Sequence, residues 1–239
     1  MSDDDSLSLT EAAGAIALAE HPALDLAELQ TELDQLAQRL RHRLPADAGA
    51  LQRVRGLHQF FYRDLGFGGN ANDLRDPDNS HLHAVLQRRR GLPIALAVLY
   101  LELAGQIGLQ ADGISFPGHF LIKLHLPLGE AVIDPVDGRS LTRAELEERL
   151  EPYLDSVARR DQARGLGLGA LLSDYLQPAS SREILSRMLR NLARLHRENR
   201  DLPRLLQIQK RQVLLEPQDA ALHHALGCTR AALDQPSGG

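Results

Sequence analysis

A single cysteine, Cys228, in 239 residues excludes an intrachain disulfide framework and fits a reducing compartment. No apolar run approaches the roughly 18 residues that read as a membrane-spanning helix. The first residues, Met1 to Ser6, are acidic where a secretory leader would be basic. A cytoplasmic protein with no membrane partner is therefore expected. Positive charge is also short: 27 Lys and Arg against 32 Asp and Glu give a net charge of −5, so no nucleic-acid partner is expected. The one basic run, Arg88-Arg89-Arg90, lies where a helix ends, and cations there complement the helix dipole while staying solvated. What remains, 43% hydrophobic and 25% charged, is the composition of a soluble globular chain with length for one large domain or two small ones.

Helical spacing of apolar residues runs through 7 to 20, 24 to 44 and about 48 to 64. His21-Pro22 breaks the first of these and Asp25 caps the second. Leu26, Leu29, Leu33, Leu36 and Leu40 fall 3, 4, 3 and 4 apart, a single packing stripe. The stretch from 65 to 80 is dense in Gly, Asn and Asp and has no period. Asp73, Asp76 and Asp78 lack the alternate acids, central Gly and distal Glu of a calcium loop. An Asx-turn loop that caps a helix near Ser80, through Asn79 or Ser80, accounts for them. His81 and His83, two apart, fall on different faces of a helix and lack the i, i+4 spacing of helical zinc ligands. No metal and no cofactor is expected.

The most informative stretch is 91 to 138. Gly91 suits the position just past a helix, and Pro93 suits the first position of the next, where its missing N–H costs nothing. The run from Ile94 to Ala104 is apolar nearly all round, as in a helix enclosed by other structure. Three strand-like segments follow, Ala111 to Phe116, His119 to His125 and Ala131 to Ile133, separated by turns at Pro117-Gly118 and Pro127-Leu128-Gly129. An enclosed helix followed by a small antiparallel sheet, with His119 on one strand and Asp134 closing another, is the layout of papain-like thiol enzymes.

Five blocks in order, Gly66-Phe67-Gly68-Gly69-Asn70, Asp76-Pro77-Asp78-Asn79-Ser80, Arg88 to Ile94, Phe116 to Leu121 and Ile133-Asp134-Pro135, make the chain resemble the SirB family. These are bacterial proteins joining a transglutaminase-like domain to tetratricopeptide repeats. The resemblance implies an α+β fold: a mainly helical transglutaminase-like (papain-like) domain with a small antiparallel sheet, followed by an all-α tetratricopeptide-like module. Active relatives of that fold set a Cys at a helix N-terminus, a His on a following strand and an Asp on the next. The helix end lowers the thiol pKa, His takes its proton and Asp orients the ring. On that pattern His119 and Asp134 match the last two positions, and the thiol position falls on or next to Pro93. What remains is a relic dyad without its nucleophile. The loop beside it, through Asn70, Asp73, Asp76 and Asn79, is expected to form one wall of a ligand or partner cleft.

Thr142 with Glu145 has capping-box spacing and opens a helix to about Leu150. Residues 156 to 180 read as a linker with a short helix near 168 to 176, and Gly165, Gly167 and Gly169 follow no strand, so they are not a dinucleotide loop. Helices at about 182 to 198, 202 to 215 and 218 to 233 close the chain. Leu214 to Ala220 resembles a junction between tetratricopeptide units, and Met188 with Leu222 and Leu192 with Leu226 agree at a spacing of 34. So few units should pack on the domain before them. The expected boundaries are 1–155, 156–180 and 181–239. Two functions are compatible with this sequence. One is a non-catalytic interaction or regulatory protein, a pseudoenzyme whose helical module holds a protein partner; resemblance to relatives labelled for invasion-gene regulation implies the regulatory part. The other is a hydrolase or acyl-transfer enzyme using His119 and Asp134 with a non-cysteine nucleophile. Ser115 and Ser80 are the nearby hydroxyls, and neither lies in a nucleophile elbow.

Overall fold

The structure, a computed structural model, describes residues 8–70, 73, 75–154 and 168–234, with the backbone alone for 168–170. Residues 156–167 of the linker expected over 156–180, and the acidic segment from Met1 to Ser6, lie outside the described residues.

Helix α1 (Leu9–Ile16) starts at Ser8, whose hydroxyl accepts from the Glu11 N–H, and a 3-10 turn, Ala17–Ala19, ends it. Helix α2 (Leu26–Arg41) is capped by Asp25, whose carboxylate accepts from the Ala27 N–H at 2.8 Å. The leucine stripe predicted for it turns inward, with Leu29, Leu33, Leu36 and Leu40 buried. Helix α3 (Ala50–His58) widens into a π-helical segment, Gln59–Asp64, which buries Phe60 and Phe61 side by side. The stack of Phe61 on Phe67, centroids 4.3 Å apart, holds the start of the Gly-rich loop.

Helix α4 (Leu82–Arg88) begins later than the sequence suggests. The residue at its cap position is His81, and neither Asn79 nor Ser80 caps it. Asp76 instead caps a preceding 3-10 turn, Pro77–Ser80, by accepting from the Asp78 N–H. The left-handed residue that ends α4 is Arg89, φ 58°, and not Gly91. Gly91 sits in a two-residue parallel bridge between β1 (Gly68–Gly69) and β2 (Arg90–Gly91). A side chain there would meet Val85 at 2.7 Å and the Asn79 carbonyl at 3.2 Å, so close packing selects glycine.

Helix α5 (Pro93–Gln106) has proline at its first position, as expected. It is buried from Ile94 through Tyr100 and again at Leu103 and Ala104, the axis of the main core. After it comes an antiparallel sheet ordered β3 (Ala111–Ile114), β4 (Leu121–Leu126), β5 (Gly129–Ile133), β6 (Ser140–Leu141). Gly129 pairs with Leu126 and so belongs to the ladder, leaving a two-residue turn at Pro127-Leu128. Strand β6 is too short to show a period. His119 precedes β4 in a turn closed by its N–H on the Phe116 carbonyl, 3.2 Å.

Alternation along the strands covers both faces of the sheet. Phe120, Ile122, Leu124 and Ile133 join the core around α5. Leu121 and Val132 face the other way, into a second cluster with Leu146, Leu150 and Leu172 of α6 (Arg143–Leu150) and α7 (Leu168–Tyr175). The capping box is present: Thr142 accepts from the Glu145 N–H and Glu145 accepts from the Thr142 N–H. The last helices are α8 (Ser181–Glu198), α9 (Leu202–Leu215) and α10 (Ala220–Asp234), each packed on the next. Helix α8 drives Ile184, Leu185, Met188, Leu189 and Leu192 into the same core as α5, and α9 adds Leu205 and Ile208. No helix among the described residues is long and apolar enough to cross a membrane.

Candidate functional site

His119 and Asp134 meet. His119 Nε2 lies 2.9 Å from Asp134 Oδ1. The acid follows β5 and is locked into its own turn: its N–H donates to the Arg139 carbonyl, its carbonyl accepts from Gly138, and Oδ1 also accepts from the Val136 N–H at 3.1 Å. Its other oxygen accepts from Arg149 Nη1 of α6 at 3.0 Å. Burial opposes the charge on Asp134, but the bonds from His119, Val136 and Arg149 outweigh it and hold the carboxyl at about 2. Because an ionised carboxylate only accepts, Nε2 carries a proton, and a neutral His119 presents a lone pair on Nδ1. Among the described residues Nδ1 has no hydrogen-bond partner. The ring is 27% exposed against 10% for the acid, so the pair is reached from the imidazole side.

The turn that carries His119 is built from outside. Arg187 of α8 donates to Ser115 Oγ (2.9 Å), the Phe116 carbonyl (2.8 Å) and the His119 carbonyl (2.8 Å). Its guanidinium also lies 5.7 Å from the Phe120 ring centroid. Gly118 must be glycine: φ is +68°, and a Cβ would fall 1.8 Å from the Tyr153 hydroxyl.

Pro93, expected at or beside the thiol position, is the first residue of α5 and has no side-chain nucleophile. The turn before it is anchored by the Leu92 N–H on the Asn79 carbonyl, 2.8 Å. Asn79 thereby joins the loop to the head of α5. Its side chain donates to the Asp73 carbonyl (2.6 Å) and accepts from Asn70 Nδ2 (2.9 Å). Asp73 itself accepts from the Arg75 N–H. Asp76 and Asp78 both pair with Arg88. The loop packs on the turn that follows the dyad's acid: a Cβ on Gly69 would meet the side chain of Val136, two residues after Asp134, at 2.9 Å. Tyr62 donates to the Pro135 carbonyl at 3.3 Å and, held in apolar surroundings, has its phenol pKa pushed up by burial. Asn70, Asp73 and Asn79 are therefore joined by hydrogen bonds within the loop, while Asp76 is engaged by Arg88.

Neither hydroxyl weighed as a substitute nucleophile bonds to the imidazole. Ser115 is held by Arg187, and Ser80 Oγ is buried without a partner. Cys228, exposed on α10, pairs with His224 at 3.5 Å. Arg149 and Arg187 carried no local signal in the sequence, since each finds its partner only when α6 and α8 dock on the sheet.

The family model of the transglutaminase-like superfamily matches residues 27–190, from α2 into α8. A UPF0162 protein of Xylella fastidiosa is 38% identical over 191 residues, covering 80% of this chain and 65% of that relative; the chain thus spans about two thirds of that protein's length. A UPF0162 protein of Pseudomonas aeruginosa is 34% identical over 229 residues, 96% of this chain and 80% of the relative. Human F-box only protein 21 is 33% identical over 105 residues, 40% of this chain and 17% of that protein. No solved structure matches. The family match over about two thirds of the chain, the dyad turn and the similarity over nearly full length to the Pseudomonas protein converge, and the chain belongs to the transglutaminase-like superfamily, in the UPF0162 family.

Proposed function

We propose that this chain is a non-catalytic interaction or regulatory protein of the SirB type, a transglutaminase-like domain that has lost its thiol. The observation that carries the reading is Pro93 at the first position of α5. Thiol chemistry in this fold draws on the helix N-terminus to stabilise a thiolate, and proline offers no group to ionise there. Asp134 supports it. Sharing the carboxylate between His119 and Arg149 leaves less negative charge to stabilise an imidazolium than an acid devoted to the ring would give.

The reading gives the partner to the helical end of the chain. Helices α1, α8 and α9 border an apolar groove of about 300 Å³ lined by Ala12, Ile16, Leu185, Leu189, Leu214 and Leu215. Leu214 is 80% exposed, and an amphipathic helix of a protein partner would cover it. Helices α8 to α10, each packed on the next, serve as the tetratricopeptide-like module.

One observation favours a second reading, an enzyme without a cysteine: Nδ1 of a partly exposed His119 is unengaged and able to take a proton from water. General-base action alone supplies only about 10²–10⁴-fold. Incubating the full chain with glutamine-containing peptides, amines and esters separates the two. No turnover is expected, with or without iodoacetamide. Turnover abolished by iodoacetamide would overturn the loss of the thiol, and turnover abolished by His119→Ala alone would establish the second reading.

A further inference from the structure

A second cluster of histidines and acids lies where the end of the α1 segment meets the start of α4. Glu20 caps the 3-10 turn that ends α1, and His21 follows it. Asp78 sits in the 3-10 turn before α4, and His81 occupies the cap of α4. Being at the cap, His81 escapes the helical spacing that would separate it from His83. Their rings lie 5.9 Å apart at 27°, and His21 packs edge-on to both, at 5.4 and 4.8 Å.

We propose that His21, Asp78 and His81 form a binding site for a divalent transition-metal ion of the zinc class, beyond anything the transglutaminase-like reading requires. One ligand atom from each lies within 4.8 Å of the others, and His21 Nε2 is 3.6 Å from Asp78 Oδ1. Ligands about 2.0–2.1 Å from a tetrahedral zinc stand about 3.3 Å apart, so the three need to close in by an ångström or so. Two imidazoles with one carboxylate suit zinc, nickel or copper better than calcium or magnesium, which want oxygen donors throughout.

An independent observation points to a ligand. His81 is wholly buried, its Nδ1 makes no hydrogen bond while its Nε2 has only the ion-pair contact with Glu20, and buried Nδ1 of His83 makes none. Native proteins rarely leave such groups unsatisfied, because each costs its desolvation in full. A metal ion would engage one His81 nitrogen. The carboxylate that ligating imidazoles ordinarily have beside them is present as well: Glu20 Oε1 lies 3.3 Å from His81 Nε2 and 2.8 Å from buried His196 Nε2. Arg88 holds only Oδ2 of Asp78, leaving Oδ1 on the side of His21. Entry is open from His21, whose side chain is 41% exposed, leaving a fourth position for water.

The test uses the full untagged chain, stripped with chelator, carrying Cys228→Ser so that the Cys228–His224 pair does not take up metal. Calorimetric titration with zinc is expected to give one equivalent, and cobalt substitution an intense visible absorption of a tetrahedral ion. His21→Gln, at an exposed position, and His81→Gln should each weaken binding at least tenfold, whereas His119→Ala should leave it unchanged. Zinc should also raise the melting temperature of the parent and not of His21→Gln. The site is refuted if the parent binds no zinc at micromolar concentration, or if His21→Gln retains one equivalent at undiminished affinity. None of these readouts depends on whether the chain is an enzyme.

Discussion

Arg187 on α8 donates to the carbonyl of His119 across 2.8 Å and to two further groups in the same turn. The residue that shapes the dyad's imidazole side therefore comes from a helix 68 positions downstream. The dyad's turn is thus held by a contact that exists only when the C-terminal helices are docked.

Arg187→Ala leaves the carbonyls of Phe116 and His119 without their charged donor. A hydrogen bond to a charged group contributes about 1.5–3 kcal/mol, so a loss of about 2–3 kcal/mol is expected in urea denaturation. Arg187→Lys should recover less than half, because a single ammonium cannot serve three acceptors spread over a planar fork. A loss under about 0.5 kcal/mol in the alanine variant would show the clamp to be slack.

Stability should carry a signature of Asp134. Its folded pKa of about 2 lies below the ordinary 3.8, so the unfolded chain binds the proton more readily. The contribution is fully present above about pH 4 and is lost as pH falls toward 2, a total of about 2 kcal/mol. Asp134→Asn should flatten the pH dependence in that window. Glu20, also held below its ordinary range by His196 and His81 against burial, loses its contribution over the same acid limb, and Glu20→Gln should flatten it independently.

Restoring a thiol tests whether Pro93 stands where the nucleophile would. In a Cys228→Ser background, Pro93→Cys should be alkylated by iodoacetamide at pH 7 roughly ten times faster than Cys228 in the parent chain, since a helix N-terminus and a neighbouring imidazole both favour thiolate. Adding His119→Ala should remove most of that advantage. Equal rates with and without the imidazole would mean that the head of α5 does not face His119.

Met188 is wholly buried in the core shared with α5. Met188→Ala should cost about 2–4 kcal/mol, and a chain ended after Gln177 should fail to give a cooperative thermal transition. Cooperative unfolding of that shortened chain would show that α8 is dispensable to the domain.

The sequence by itself determined what is periodic or local. It contained the buried stripe of α2, the enclosed run of α5, the caps at Asp25 and Thr142, and a proline at the head of α5, because each depends on residues a few positions apart. Resemblance added the pairing of His119 with Asp134. Strand ends, the left-handed Arg89 and the late start of α4 escaped it, since ladder pairing and close packing set those limits, not propensity. Only the tertiary structure decided that Arg149 shares the acid, that Arg187 holds the imidazole's turn, and that His21 meets Asp78 and His81. Such contacts join elements tens of residues apart, and what brings them together is the burial of apolar faces elsewhere, which leaves no trace in the sequence around the polar residues themselves.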